Sequence, residues 1–269
     1  MSDNLLHAAA VLRDAYSKGP VAPLRKYLAA DDVESAYAVQ DVNIRHWLAR
    51  GRRLVGRKAG LTSRAVQQQL GVAQPDFGML FADMRVPDGG VLDPCMCLQP
   101  KVEAEVAFVL SRDLQSTRNT IDDVACAVAA TYASIEIVDS RIEGWRISIA
   151  DTIADNGSSA FFVLSEEGCE LAVDDLPKVE MVLEVNAKVV SRGVGAAVLG
   201  NPLNALVWLA NAAAAQQRPL RRGDTILSGA LGPMVALEAG DRVTATIAGV
   251  GECSFMFASA NTRLFSSLE

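Results

Sequence analysis

The chain has 269 residues, of which 50% are apolar and 21% charged, with a formal net charge of −7. That composition excludes a disordered chain. The acidic balance, with no long basic run, argues against nucleic acid and anionic membrane surfaces as partners. The length allows one large domain, or a main domain with a smaller appendage.

The N-terminus, MSDNLLHAAAVLRDAYSKG, is polar and amphipathic, which argues against a signal peptide. No apolar run approaches the ~20 residues that span a bilayer. The five cysteines, Cys95, Cys97, Cys126, Cys169 and Cys253, form no CxxC pair, so free thiols in a reducing cytoplasm are expected. The two histidines, His7 and His46, both fall in predicted N-terminal helices. A Ser-His-Asp, Cys-His or histidine-rich metal site is therefore disfavoured. Acid–base chemistry must come from carboxylates, lysine, tyrosine or a metal-bound water.

In chain order, Leu5, Ala8, Ala9, Leu12 and Tyr16 have helical spacing, and Gly19-Pro20 ends that helix. A second helix is predicted from an N-cap at Asp31 to about Gly51. Its inner face is Val33, Ala36, Tyr37, Gln40, Ile44, Trp47 and Leu48. A short strand, RLVGRKAG, follows. Lys58 lies between Gly56 and Gly60, which suggests close backbone packing or room for a ligand; an exposed strand lysine is the alternative. Thr62 caps a short helix, SRAVQQQL. QPDFGMLFADM reads as a loop. Its Asp76 sits among Phe77, Met79, Leu80 and Phe81, where a carboxylate has a raised pKa, unless it only closes a turn on its own backbone.

Pro87-Asp88-Gly89-Gly90 is a turn leading to the strand Pro100–Leu110, PKVEAEVAFVL. Glu103 and Glu105 share one face of it. Two carboxylates on a buried face need a compensator, and a divalent cation with oxygen ligands is the natural one; a solvated face is the alternative. Thr120 with Asp123 caps a helix, Ile121–Ala130, before a strand, ASIEIVDS. Glu136 interrupts that strand and could complete a three-carboxylate site with Glu103 and Glu105. The segment ISIADTIADNGSSAFFVL carries Asp151, Asp155, Asn156, Ser158 and Ser159, a polar set suited to substrate oxygens or equally to a helix end and turn. The remainder is strand-rich: VEMVLEVNAKVV, DTILSGAL, MVALEAG and DRVTATIAGVGECSFMF. One helix interrupts it, capped by Asn201 with Pro202 in its first turn and running to about Ala215. No dinucleotide fingerprint or Walker motif occurs.

Taken together, GRKAGLTS, QPDFGMLFADM, QPKVEAEVAFVL, IEIVDSR, DTIADNGSS, LGNPLNALVWLA and LSGALGPMV resemble the 2-hydroxydienoate hydratases of the fumarylacetoacetate hydrolase superfamily, in order and over nearly the whole chain. The resemblance implies an α+β fold: a β-rich, mixed, rolled sheet with N-terminal helices. It implies a helical segment over residues 1–52 packed on a catalytic domain over 53–269. It assigns Mg²⁺ or Mn²⁺ to Glu103, Glu105 and Glu136, catalysis to Lys58 and Asp76, and substrate contacts to Asp155 and Ser158. It implies a hydro-lyase of aromatic meta-cleavage that takes a small 2-hydroxydienoate or 2-oxo acid. It further implies a homo-oligomer that could associate with other enzymes of that pathway. The nearest rivals are 4-oxalocrotonate decarboxylase, which shares the EAE strand, and a hydratase for a longer dienoate. GRKAGLTS, PDFG and GALGPMV side with the hydratase.

Overall fold

The computed structural model describes residues 2–63, 67, 72 and 74–259. Helix α1, Asp3–Lys18, buries Ala8, Ala9, Leu12 and Ala15 in one stripe. Helix α2, Val33–Ala49, is capped by Asp32, whose side chain accepts the Ser35 amide at 3.0 Å. The cap therefore lies one residue beyond Asp31. Leu48, expected to face in, is exposed. An apolar cluster of Leu12, Ala36, Val39, Ile142, Ile149 and Ile153 joins the two helices to the segment after residue 141. Gln40 fastens α2 further, its amide donating to the carbonyls of Phe77 and Ile153 at 2.9 Å each.

The described residues form two sheets. The larger contains β1 (Leu54–Gly60), β2 (Asp76–Phe81), β4 (Pro100–Leu110), β5 (Val128–Asp139), β6 (Ser159–Leu164), β9 (Thr225–Ala230) and β10 (Val235–Ala236). Its order is β2-β1-β9-β4-β5-β6, with β10 also on β4. The β1–β9 pair is parallel and the other pairs of this sheet are antiparallel, so the sheet is mixed. The smaller sheet runs β3 (Gly90–Leu92), β12 (Gly251–Phe257), β11 (Arg242–Ile247), β7 (Glu180–Val185) and β8 (Lys188–Val194). Phe108 and Phe162 of one sheet and Phe255 of the other belong to a single buried cluster. Helix α4, Pro202–Ala215, covers β9 and β1 and adds Leu203, Leu206 and Leu209 to that core. The arrangement is the α+β architecture expected. Among the described residues, no helix is long and apolar enough to cross a membrane.

Two local expectations are corrected. Within QPDFGMLFADM, Asp76–Phe81 is a strand rather than a loop, with all six residues of β2 buried against β1. Its Gly78 imitates a turn signal, but the glycine is there because the backbone passes close to Asn156, whose carbonyl a Cβ would meet at 2.2 Å. The helix after Thr120, α3, ends at Ala125, and β5 begins at Val128 instead of Ala133. VEMVLEVNAKVV is strand, as expected, and forms a hairpin of β7 and β8 turned at Asn186 and Ala187 with φ of 51° and 60°. The helix expected over SRAVQQQL lies, except for Ser63 and Gln67, outside the described residues.

One close approach fixes β1 beside β9. A Cβ at Gly56 would come 1.8 Å from the Thr225 carbonyl oxygen, so two backbones touch there. Replacing Gly56→Ala must part the parallel pair that sets Lys58 in register. It should cost about 1–3 kcal/mol, as overpacking typically does, read as a lower urea midpoint.

Candidate active site

The pairing of β4 with β5 sets Glu103 directly opposite Glu136. Cross-strand neighbours share a face, and Glu105 shares it by the period of two. One oxygen from each of the three carboxylates lies within 4.8 Å of the others. Glu105 and Glu136 are fully buried and Glu103 is partly so, which excludes the solvated-face alternative. The backbone around Glu105 is irregular: the β4–β9 register shifts between Glu105 and Ala107, and the chain leaves β9 at Ala230. That irregularity brings the Gly229 amide to Glu105 Oε2, 2.7 Å away.

Glu105 Oε1 and both Glu136 carboxylate oxygens are buried and have no hydrogen-bond partner. Leaving carboxylates so costs several kcal/mol each. Without a cation, burial and the neighbouring Glu136 push Glu103 up to about 7. Burial and the two other glutamates push Glu105 well above the usual carboxylate range. Burial also raises Glu136, against the opposing pull of Lys58. An all-oxygen donor set with orphaned lone pairs fits a hard divalent cation such as Mg²⁺ or Mn²⁺.

Lys58 is 4% exposed, and its Nζ lies 3.5 Å from Glu136 Oε1. Burial alone would lower its pKa. The pull of Glu136, Asp76, Glu103 and Glu105 outweighs burial and holds the ammonium protonated. Asp76 opens β2 opposite Gly60, two residues along from Lys58 on the same face. Burial raises its pKa, opposed by Lys58 and by a hydrogen bond from Thr152. Its Oδ1 has no hydrogen-bond partner. A Cβ at Gly60 would stand 2.1 Å from that oxygen.

The turn before β6 closes the site. Asn156, Gly157 and Ser158 have φ of 56°, 63° and 54°, three left-handed residues in succession. The Asn156 side chain holds the turn to β2: its Oδ1 accepts the Met79 amide at 2.8 Å, and its Nδ2 donates to the Met79 carbonyl at 2.9 Å. Gly157 lies against Lys58, where a Cβ would be 2.6 Å from Cε. The Ser158 hydroxyl is buried without a hydrogen-bond partner.

A cavity of about 110 Å³ is lined by Lys58, Asp76, Glu103 and Ser158, with Gly229 among the remaining walls. Asp155 is not on its lining. Its carboxylate receives the Arg141 guanidinium at 2.6 Å and the Arg141 amide at 2.9 Å. Arg141, 1% exposed, also donates to the carbonyls of Asp155 and Ser159 and so grips both ends of the turn. Asp155 bears on the site through the turn's shape. Asp151 is structural as well, accepting the amides of Leu24 and Ser148. Arg141, Thr152 and Trp145 were not singled out from the sequence. The one signal for Arg141 was a cation directly after an apolar strand, in IEIVDSR.

Residues 49–257 match the fumarylacetoacetate (FAA) hydrolase C-terminal family. The chain is 55% identical over 252 residues to 2-keto-4-pentenoate hydratase 2 of Dechloromonas aromatica, covering 93% of this chain and 96% of that one. It is 50% identical over 257 residues to 2-keto-4-pentenoate hydratase of Paraburkholderia phymatum, covering 95% and 98%. Among solved structures, 4-oxalocrotonate decarboxylase from Pseudomonas putida G7, complexed with magnesium and adipate, superposes with a TM-score of 0.90 at 33% identity, covering 95% of this chain and 97% of that one. With its carboxylate cluster on a mixed sheet and these matches along nearly its whole length, the chain belongs to the fumarylacetoacetate hydrolase family.

Proposed function

We infer that the chain is a metal-dependent hydro-lyase. It adds water to 2-hydroxypenta-2,4-dienoate, by way of the 2-oxo-3-enoate tautomer, to give 4-hydroxy-2-oxopentanoate in the meta-cleavage degradation of aromatic compounds. The observation that carries this reading is the buried set of three glutamates beside a protonated lysine and an orphaned aspartate oxygen, in a chain half identical to named hydratases. We read it further as a cytoplasmic homo-oligomer acting on a free small molecule.

Glu103, Glu105 and Glu136 would hold the cation, which when bound supplies Lewis-acid polarisation of the substrate's C2 oxygen. Lys58, held protonated, binds the substrate carboxylate or the developing enolate by charge. Ser158 offers its free hydroxyl to the same oxygens. Asp76 is the group that moves protons. Burial, which raises its pKa, favours the protonated form, so it can deliver a proton to C5 as the enol proton is lost and, as carboxylate, accept one from the water that attacks C4. In the tautomerisation the enol O–H is broken and a C5–H formed, the enol proton leaving to solvent. In the hydration one water O–H is broken, a C4–O bond forms, and C3 takes a proton, so the net change is addition of one water.

A second reading, decarboxylation of a 2-oxo-3-enedioate, is favoured by the TM-score of 0.90 to the decarboxylase. The 55% identity to a hydratase outweighs the 33% to that enzyme. Freshly generated 2-hydroxypentadienoate should disappear with formation of 4-hydroxy-2-oxopentanoate; release of CO₂ from 2-oxohex-3-enedioate instead would move the assignment to the decarboxylase.

Glu105→Gln should lose Mn²⁺ binding in calorimetry and turnover together; activity retained in chelator-stripped buffer would refute the metal assignment. Asp76→Asn should keep Mn²⁺ binding while kcat falls ~10²–10⁴-fold, the usual worth of one acid–base step. In chelator-treated protein, Glu103 titrates near 7 when folded and near 4.5 when unfolded. The native state then binds more protons, so stability present at low pH declines as pH rises from about 4.5 to about 7. Thermal melts should show that decline, and saturating Mg²⁺ should abolish it.

A further inference from the structure

The sheet register divides the cavity into two chemical regions. Glu103 and Glu136 face each other, and one step along the same face Lys101 is paired with Val138. Val138 lines the cavity, together with Trp145, Ile147 and Met234. Met234 arrives from the same direction, since Val235 after it pairs with Val102. The region beyond the carboxylates is therefore apolar. Lys58 is the one cation among the described residues lining the cavity.

Lys101 is the cation that should enter this region, because it shares a face with Glu103. It does not line the cavity. Its Nζ lies 4.3 Å from the centroid of the Trp145 ring, in cation–π contact. The indole that walls the cavity thus also holds Lys101 aside.

Trp145 is placed against local backbone preference. Its φ is 56°, an outlier for a bulky residue, and Gly144 before it has φ of 61°. Gln99 enforces the conformation. Its carbonyl accepts the indole Nε1–H at 2.9 Å, and its side-chain oxygen accepts the Gly144 amide at 3.0 Å. Its amide nitrogen donates to the carbonyls of Ser140 and Ile142 at 2.7 and 2.5 Å. A non-glycine residue in this region persists only where its surroundings over-determine it, and such placements cluster at ligand clamps.

We propose that Trp145 confines this site to 2-hydroxydienoates with an uncharged far end, by walling that end of the cavity and by holding Lys101 out of it. This rests on the hydratase reading and specifies its substrate class. A vinyl or methyl-vinyl terminus meets apolar walls. A terminal carboxylate would lose its water and meet no cation on the described walls at that end, and burying a charge without a partner is costly.

The test is kcat/KM on three 2-hydroxydienoates carrying hydrogen, methyl or carboxylate at C5. The wild-type enzyme should favour hydrogen and methyl over carboxylate by at least about 100-fold. Trp145→Ala should lower that ratio tenfold or more, chiefly through KM, with activity gained on the carboxylate substrate. Adding Lys101→Met to Trp145→Ala should cancel the gain, and Trp145→Phe should retain the wild-type preference. If Trp145→Ala does not fold, Met234→Lys, which puts a cation into the same wall, should give the gain instead. A wild-type enzyme that takes the carboxylate substrate as well as the others, or a ratio unmoved by these variants, overturns the proposal. If none of the three is hydrated, the hydratase reading fails. Trp145 is then judged by Kd alone, and wild-type binding of 2-oxohexanedioate as tight as that of 2-oxopentanoate overturns its role.

Discussion

Everything in this molecule answers to three carboxylates and one ammonium removed from water in the middle of a sheet. With all four groups ionised, two negative charges would be in excess, in a medium where charges interact several-fold more strongly than in water, and the raised glutamate pKa values express that repulsion. The fold tolerates this because each group is fixed by backbone it cannot leave: β1 for Lys58, β4 for Glu103 and Glu105, β5 for Glu136. Side chains on loops could relax apart. Side chains on adjacent strands are committed to a spacing set by the ladder. A cation held there would relieve the excess, and its affinity would draw on the free energy that folding stored as repulsion.

The glycines near Lys58 and Asp76 serve the same constraint. At Gly60, Gly78 and Gly157 a single methyl group would collide with a site atom or with the turn beside it. The sheet is thinned there so that a lysine, an aspartate and a backbone turn fit into one layer. Helix α2 seals that edge, with Tyr37 stacked on Phe77 at 4.7 Å and Gln40 tied to the Phe77 carbonyl. The N-terminal helices thus support β2, and through it Asp76.

The legibility of these features in the sequence follows from how local their causes are. The strand Pro100–Leu110 was readable with its bounds because period-two alternation and β-branching act within the strand itself. Glu136 was readable because a lone acid between two isoleucines has few explanations. β2 was misread because Pro75-Asp76 and Gly78 imitate turn chemistry, while the real demand on Gly78 comes from Asn156, far away in sequence. The end of α3 was misread because the alanines of Cys126–Ala133 suit a helix as well as a strand, and only pairing with β4 decides between them. Arg141 and Trp145 left almost no trace. Burying an arginine becomes reasonable only once Asp155 and two carbonyls of the turn are seen to surround it.

The Asn156 side chain exchanges two hydrogen bonds with Met79, the pattern by which one antiparallel strand residue binds another. In mechanical terms the turn is therefore a one-residue extension of the sheet. Thermal displacement of β2 carries Asn156 with it, and the neighbouring Gly157 and Ser158 travel along. Loops around enzyme sites commonly drift relative to their scaffold; here two hydrogen bonds tie the turn to the strand beside it.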